Sequence, residues 1–347
     1  MIDSGTGAEN YPLFSVAGGR ARNQNFTIDG GNVTNAVGLT RPQQMTSLPM
    51  EAMQEFRVIS NNYAAEFGHS TGGIITLSTR SGTNDIHGSV FDYFRNDALD
   101  ARNFFSAAKP PLSHHQFGGA IGGPIQKDKT HYFLSWEQTR ERTSVPMLYT
   151  VPDAAQRAGD LSGLRDSAGN VIPVYDPTTT VGHERTQFGA NVIPASRLDP
   201  VARAVLSYYP MPNRIGNAAG ANNFGNNADS SLGRNIVVAR LDHEFRATDQ
   251  VSARYYINDS GIQNAGSFGR PAADPDALQT DARLQSIMLS HSHVFRPSVI
   301  NELKVSFLQR KYLERRYGAG ESLAASLGLT GVSDAAFPIF TVPGYVG

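Results

Sequence analysis

Val237-Val238-Ala239-Arg240-Leu241-Asp242-His243-Glu244-Phe245 alternates apolar and polar side chains along most of its length. Successive strand residues point to opposite faces. Val237, Ala239, Leu241 and Phe245 therefore share one face with His243, while Arg240, Asp242 and Glu244 take the other. The pattern then returns. Val251, Ala253, Tyr255 and Ile257 oppose Ser252, Arg254, Tyr256 and Asn258. Between Arg283 and Phe295, the residues Ile287, Leu289 and Phe295 share a face with His291 and His293. After the turn Arg296-Pro297-Ser298, Val299, Asn301, Leu303, Val305 and Phe307 oppose Ile300, Glu302, Lys304, Ser306 and Leu308. These segments exceed the usual strand of about five or six residues. They fit the tilted strand of a membrane β-barrel, apolar outside and polar inside. A soluble antiparallel sheet also alternates, so periodicity alone leaves both readings open.

Working back toward the N-terminus, Thr130-His131-Tyr132-Phe133-Leu134-Ser135-Trp136-Glu137-Gln138 forms a hairpin with the glycine-rich Gln116–Gly123, which Pro124 closes. Gly88–Arg95 is a further long strand. Residues 141–233 interrupt the series with Pro, Gly, Asn and Asp, too long a stretch for an ordinary loop. One helix stands out there, with Ser196 as N-cap and Pro200 in its first turn. Before residue 83, short strands at Asn25–Ile28, Phe56–Ile59 and Ile74–Thr79 surround a short helix at Met50–Gln54, an α+β globule over 1–82. About seven long strands can be counted, whereas single-chain outer-membrane barrels carry an even number, about eight or more. A seven-stranded wall leaves open edges that lipid does not tolerate, so the barrel expected here is incomplete.

Composition narrows the function classes. The chain has 347 residues, no cysteine, and 30 basic against 31 acidic residues for a net charge of -1. Thiol catalysis, disulfide scaffolds and cysteine-bound zinc are excluded. The near-neutral balance gives no electrostatic reason to expect a nucleic-acid partner. No apolar run approaches the ~20 residues of a spanning helix, which does not bear on barrels. The N-terminus has no basic and apolar leader, and both ends look cut.

No catalytic constellation emerges, and no cofactor or metal ligand set is expected. Asp29, beside Gly30 and Gly31, is read as a turn carboxylate bonding its own backbone. His291 and His293 share a strand face but offer no evident third metal ligand, and interfacial packing is the reading taken. The glycines at 118, 119, 122 and 123 lack phosphate-loop spacing and are ascribed to close backbone approach or strand curvature. Tyr132, Phe133 and Trp136 suit either an aromatic belt or ordinary sheet packing.

The ordered stretches Gly18–Gly30, Glu55–Val58, Tyr63–Gly68, Thr79–Asn84, His87–Ser89, Phe94–Asn96, Asn103–Phe105, Phe117–Lys129, Ala158–Ser162, Tyr175–Pro177 and Asn191–Pro194 resemble TonB-dependent outer-membrane receptors of the Oar-like group. The resemblance covers about residues 10–310. It implies a mainly β fold: the C-terminal part of an α+β plug over 1–82, then the N-terminal part of a transmembrane barrel over 83–347, with a long extracellular excursion at about 141–233. The complete barrel of such receptors has about 22 strands around a plugged lumen.

The resemblance also implies the cell outer membrane of a Gram-negative bacterium, lipid contact, a TonB energy-transducing partner for the complete protein, and uptake of a bulky solute such as a siderophore, oligosaccharide or peptide. It implies a signal peptide, a TonB box and later strands that the sequence does not show, so the chain is read as a fragment. A plug is expected to be hydrophilic on its outside, and Arg20, Arg22, Glu55, Arg57, Glu66 and Arg80 are the polar contact residues expected. An adhesion or assembly protein on the same barrel is the first alternative. The second is a soluble β-rich carbohydrate-binding protein or hydrolase, which needs Asp242 or Glu244 to converge with another acid in a cleft.

Overall fold

The computed structural model describes residues 16, 25–34, 48–60, 64, 72–102, 109–166, 168–217, 219–264, 266, 268, 274, 277–333 and 337–338. Within them the chain is mainly β, in two sheets. The chain forms two compact units: residues 1–142, 231–262 and 280–313, and residues 143–230, 263–279 and 314–347.

The first sheet is small and mixed. It holds β1 (Asn25–Ile28), β2 (Gly31–Asn32), β3 (Met53–Ile59) and β4 (Ile74–Thr79) in the order β2-β1-β4-β3. β1 runs parallel to β4, and both outer pairs are antiparallel. Asp29 and Gly30 join β1 to β2 with φ of 51° and 86°. Two consecutive positive φ values mark the tight hairpin turn for which Asp-Gly is suited. The helix expected at Met50–Gln54 is only a short 3-10 turn at Met50–Ala52, because β3 begins at Met53 and pairs with Thr79. A sheet partner here outweighs local helix preference.

The second sheet has seven strands in strict sequence order. They are β5 (His87–Asn96), β6 (Leu112–Gln126), β7 (Thr130–Tyr149), β8 (Phe224–Arg246), β9 (Asp249–Gln263), β10 (Leu278–Arg296) and β11 (Val299–Arg316). Short turns after β6, β8 and β10 make those neighbours antiparallel hairpins. Pro124 does not close β6, which continues to Gln126. Among the described residues β5 and β11 have one neighbour each and end the sheet.

Gly118 and Gly119 show why β6 is glycine-rich. A Cβ on Gly118 would overlap the carbonyl oxygen of Trp136 on β7, and one on Gly119 would lie 2.7 Å from that of Ser89 on β5. The backbone is therefore gripped from both sides, as the close-approach reading anticipates.

The core of the first unit lies between one face of this sheet and the small sheet. Ile28, Val33, Leu77, Phe133, Ile236, Val238, Tyr256 and Leu284 are buried together, with Leu308 packed against them. Two expectations change accordingly. The inward face is not simply polar, and the small sheet is not hydrophilic where it meets that face. Apolar residues at alternate inward positions give the small sheet something to pack on. Phe133 belongs to this core, whereas Trp136 is exposed on the other face with Leu134. Leu241, Phe245, Ile287, Leu289, Phe295, Val305 and Phe307 also lie exposed on β8, β10 and β11.

The second unit is folded by its own contacts. α1 (Ala154–Arg157) starts with a reciprocal capping box between Asp153 and Gln156. Arg157 then donates to the carbonyls of Leu206, Tyr209 and Pro210 at the end of α2 (Pro200–Leu206). The N-cap of α2 is Asp199, not Ser196; its carboxylate accepts from Val201 N and Ala202 N. Pro200 disfavours helical geometry in the residue before it and is pre-set for the first helical position. Val205 packs with Leu327, near the end of α3 (Leu323–Ser326), and with Phe337. A second cluster joins Val151, Phe224 and Phe268.

In the same unit Arg197 holds the Asp176 carboxylate with two hydrogen bonds of 2.9 and 2.7 Å, and Thr178 adds its backbone N–H and hydroxyl. These contacts, the Arg197 bonds first among them, keep the Asp176 carboxyl far below its ordinary value of 3.8.

Two outcomes follow from these contacts. Gly118→Val should remove most of the folded protein, read as the cooperative melting of its β-sheet signal by circular dichroism. Gly163→Val, where a Cβ meets nothing within 4 Å, should leave it intact. For Asp176, the lowered value means that its stabilisation is full above 3.8 and is lost as pH falls through the depressed value. Pepsin should therefore spare residues 150–223 of the wild type at pH 3.8 and cut them only in stronger acid. Asp176→Asn should be cut readily throughout, with a flatter pH profile.

Candidate functional site

The positions where the small sheet is fastened to the long one form the most elaborate polar constellation in the first unit. It centres on Asp29. The tight turn lifts its carboxylate out of β1 toward the end of β4, where Oδ1 accepts from Thr79 N at 2.8 Å and Oδ2 accepts from the Thr79 hydroxyl at 2.9 Å. The Asp29 N–H donates to the Leu77 carbonyl. Asp29 therefore does not bond only within its own turn, as its sequence context suggests; its carboxylate ties together segments 50 residues apart.

Two arginines of the long sheet complete the constellation. Arg254 on β9 has a side chain only 2% exposed, with Nε 3.2 Å from Asp29 Oδ2 and Nη2 donating to Ser286 Oγ on β10. Arg240 on β8 donates through Nη1 to the Thr79 carbonyl at 2.8 Å and lies 3.7 Å from Asp29 Oδ1. Its other nitrogens fork onto Asp242 at 2.9 and 3.0 Å. Asp242 is thereby committed to Arg240, which removes the main support for a hydrolytic pair. Removing a buried guanidinium from water is expensive unless a charge meets it, and Asp29 supplies that charge.

Flanking contacts reinforce the fastening. Ser89 on β5 donates to Glu51 Oε2 at 2.8 Å, and Arg310 on β11 reaches the Val33 carbonyl at 3.3 Å. The arrangement is a set of non-covalent, charge-assisted ties.

Of the six expected contact residues, Arg80 joins this region. Its Nε donates to the Met53 carbonyl and its Nη1 lies 3.7 Å from Glu51 Oε2. Glu55 and Arg57 are exposed on β3. Arg20, Arg22 and Glu66 lie outside the described residues. Asp29, Thr79, Arg240 and Arg254 were not among the six. The available signals were the Asp-Gly turn and charges at inward positions of strands that also bury Ile236, Val238 and Tyr256.

Residues 78–347 match the family described as Outer membrane beta barrel domain. A curated relative, the TonB-dependent transporter Oar of Myxococcus xanthus, is 31% identical over 174 residues, 47% of this chain. The chain matches 15% of that relative's length. Among solved structures, the outer membrane transporter YddB from Escherichia coli is similar over 87% of this chain and 33% of its own, at 9% identity and a TM-score of 0.49. The siderophore receptor PiuA from Acinetobacter baumannii is similar over 89% of this chain and 41% of its own, at 11% identity and a TM-score of 0.43.

Asp29→Ala leaves Arg254 buried without its counter-charge and should destabilise the first unit by about 2–4 kcal/mol, since breaking one side of a buried pair costs more than the pair contributes. Urea unfolding measures the loss. Adding Arg254→Met should recover part of it, whereas strictly additive effects would show that the two side chains are not coupled.

Proposed function

The chain belongs to the Outer membrane beta barrel domain family, and from that premise we propose that it is part of a TonB-dependent receptor taking up a bulky solute through the outer membrane. In this reading residues 1–82 are the later part of the plug and residues 83–347 the first part of the barrel, with the stretch between β7 and β8 on the extracellular side. The exposed apolar face of β8, β10 and β11 contacts lipid, and the opposite face holds the plug. The observation that carries the reading is the Asp29–Thr79–Arg240–Arg254 constellation, which fastens a small mixed sheet to the inward face of long strands. A plug must be held firmly enough to seal the lumen yet by ties that force can break, and this set has no covalent member. The likeness to a named TonB-dependent transporter over 174 residues supports the same reading.

The solute class this reading allows is a siderophore, oligosaccharide or peptide, and the energising partner is TonB. Arg20, Arg22, Glu55, Arg57, Glu66 and Arg80 remain the proposed polar contacts of the plug.

The test exploits a chain without cysteine. A Cβ on Gly31 would lie 3.3 Å from Ser306 Cβ, close to the ~3.5–4.5 Å of a disulfide. Gly31→Cys with Ser306→Cys, introduced into the complete receptor, should therefore lock the small sheet to β11 under oxidant. Cells carrying it are assayed for uptake of radiolabelled ferric siderophores, maltooligosaccharides and short peptides. The expected result is uptake by the reduced form, loss on oxidation and recovery with reductant. Undiminished uptake with the tether formed, or a protein absent from the outer-membrane fraction, would overturn the reading.

A further inference from the structure

His291 and His293 lie two residues apart on the exposed face of β10, where the sequence offers no third ligand. The structure brings one. Asp249, the first residue of β9, places its Oδ1 2.6 Å from His291 Nε2 and 3.3 Å from His293 Nδ1. One ligand atom from each of the three residues falls within 4.8 Å of the other two. From this convergence we propose a divalent transition-metal site, of the zinc type, at the end of the β9–β10 ladder.

The donor set is two imidazole nitrogens and one carboxylate oxygen. It suits zinc, nickel or copper better than magnesium or calcium, which prefer oxygen ligands. Tetrahedral zinc with bonds of about 2.0–2.1 Å separates its donors by about 3.3 Å. The His293–Asp249 separation already has that value, and the His291–Asp249 pair must open by about 0.7 Å, within the reach of a side-chain torsion. Three protein donors leave a fourth position for water.

The scaffold beneath the site is fixed. Val294 N donates to the Thr248 carbonyl at 2.9 Å, and the hydroxyls of Ser252 and Ser290 meet at 2.5 Å across the two strands. The His293 ring also packs edge-on against Phe295, with centroids 4.3 Å apart, which limits its rotation. The three side chains are 28–41% exposed, so an ion can enter without opening the core. An ion held there would staple β9 to β10 at the turn end, on the face that carries Leu289 and Phe295. The site makes no demand on the solute or on TonB.

The experiment uses the complete protein, purified in detergent, stripped with chelator and titrated with Zn²⁺ by calorimetry. One ion per chain is expected. His291→Ala with His293→Ala should weaken binding by about 100-fold or more, because altering outer-shell partners alone can cost 10–100-fold. His243→Ala is the control and should change nothing, since that ring bonds Thr130 and packs on Phe245. Gel heat-modifiability verifies that each variant is folded. Cu²⁺ added to the wild-type protein gives a second readout that needs no variant: its electron paramagnetic resonance should show two nitrogen ligands. No Zn²⁺ binding, unchanged affinity in the folded double variant, or a copper signal with fewer than two nitrogens would overturn the proposal.

Discussion

A guanidinium with 2% of its side chain exposed cannot stand in a protein interior alone. Arg254 is that group, and its counter-charge comes not from the neighbouring strands but from Asp29, more than two hundred residues earlier in the chain. Much of the first unit is organised by this requirement. The tight Asp-Gly turn aims the carboxylate, Thr79 holds it with two hydrogen bonds, and Arg240 closes the other side while leaning on Asp242. The apolar cluster around Ile28, Leu77, Val238 and Tyr256 supplies burial without direction. The ionic contacts add direction: they select one placement of the small sheet among those that would bury similar area.

The long strands were legible because their signal is local. Alternation over Val237–Phe245 recurs in β8, where Val238 is buried and Leu241 and Phe245 are exposed, whereas β11 exposes both faces over Val299–Phe307. The seven-strand count and the close approach behind Gly118 could be read the same way. The readings that failed depend on remote partners. Met50–Gln54 has helix-compatible residues, but Thr79 claims Met53 for a strand. Ser196 looked like a cap until Pro200 fixed the helix start one residue after Asp199. Asp29 looked like a self-contained turn because nothing within ten residues of it shows Thr79 or Arg254. His291 and His293 lacked a third ligand for the same reason: Asp249 lies 42 residues before His291 and becomes a neighbour only when β9 and β10 pair.

The stretch between β7 and β8 shows a different economy. It has few strand signals, yet it is held by capped short helices, by Arg157 gathering three carbonyls, and by the buried amide of Asn191 serving Leu161, Ile172 and Val174. Side chains here satisfy the backbone groups that a ladder satisfies in the sheets. Such a segment keeps its shape through individual polar contacts, whereas in β6 a Cβ at Gly118 presses on the β7 backbone and one at Gly119 on that of β5.

The strictly sequential order of the seven strands bears on how the molecule acquires its structure. Each of the hairpins β6–β7, β8–β9 and β10–β11 closes through a turn of two or three residues, so its ends meet at small entropic cost. The parallel contact of β1 with β4 must instead close a loop of 49 residues, as in Thr27–Thr76, at an extra cost of about 2.5 kcal/mol by the logarithmic loop law. Local hairpins are thus favoured to nucleate ahead of the small sheet, which is completed against strands already in register. A transition state for the whole would then be polarised toward the meander, with the Asp29 contacts made on its downhill side.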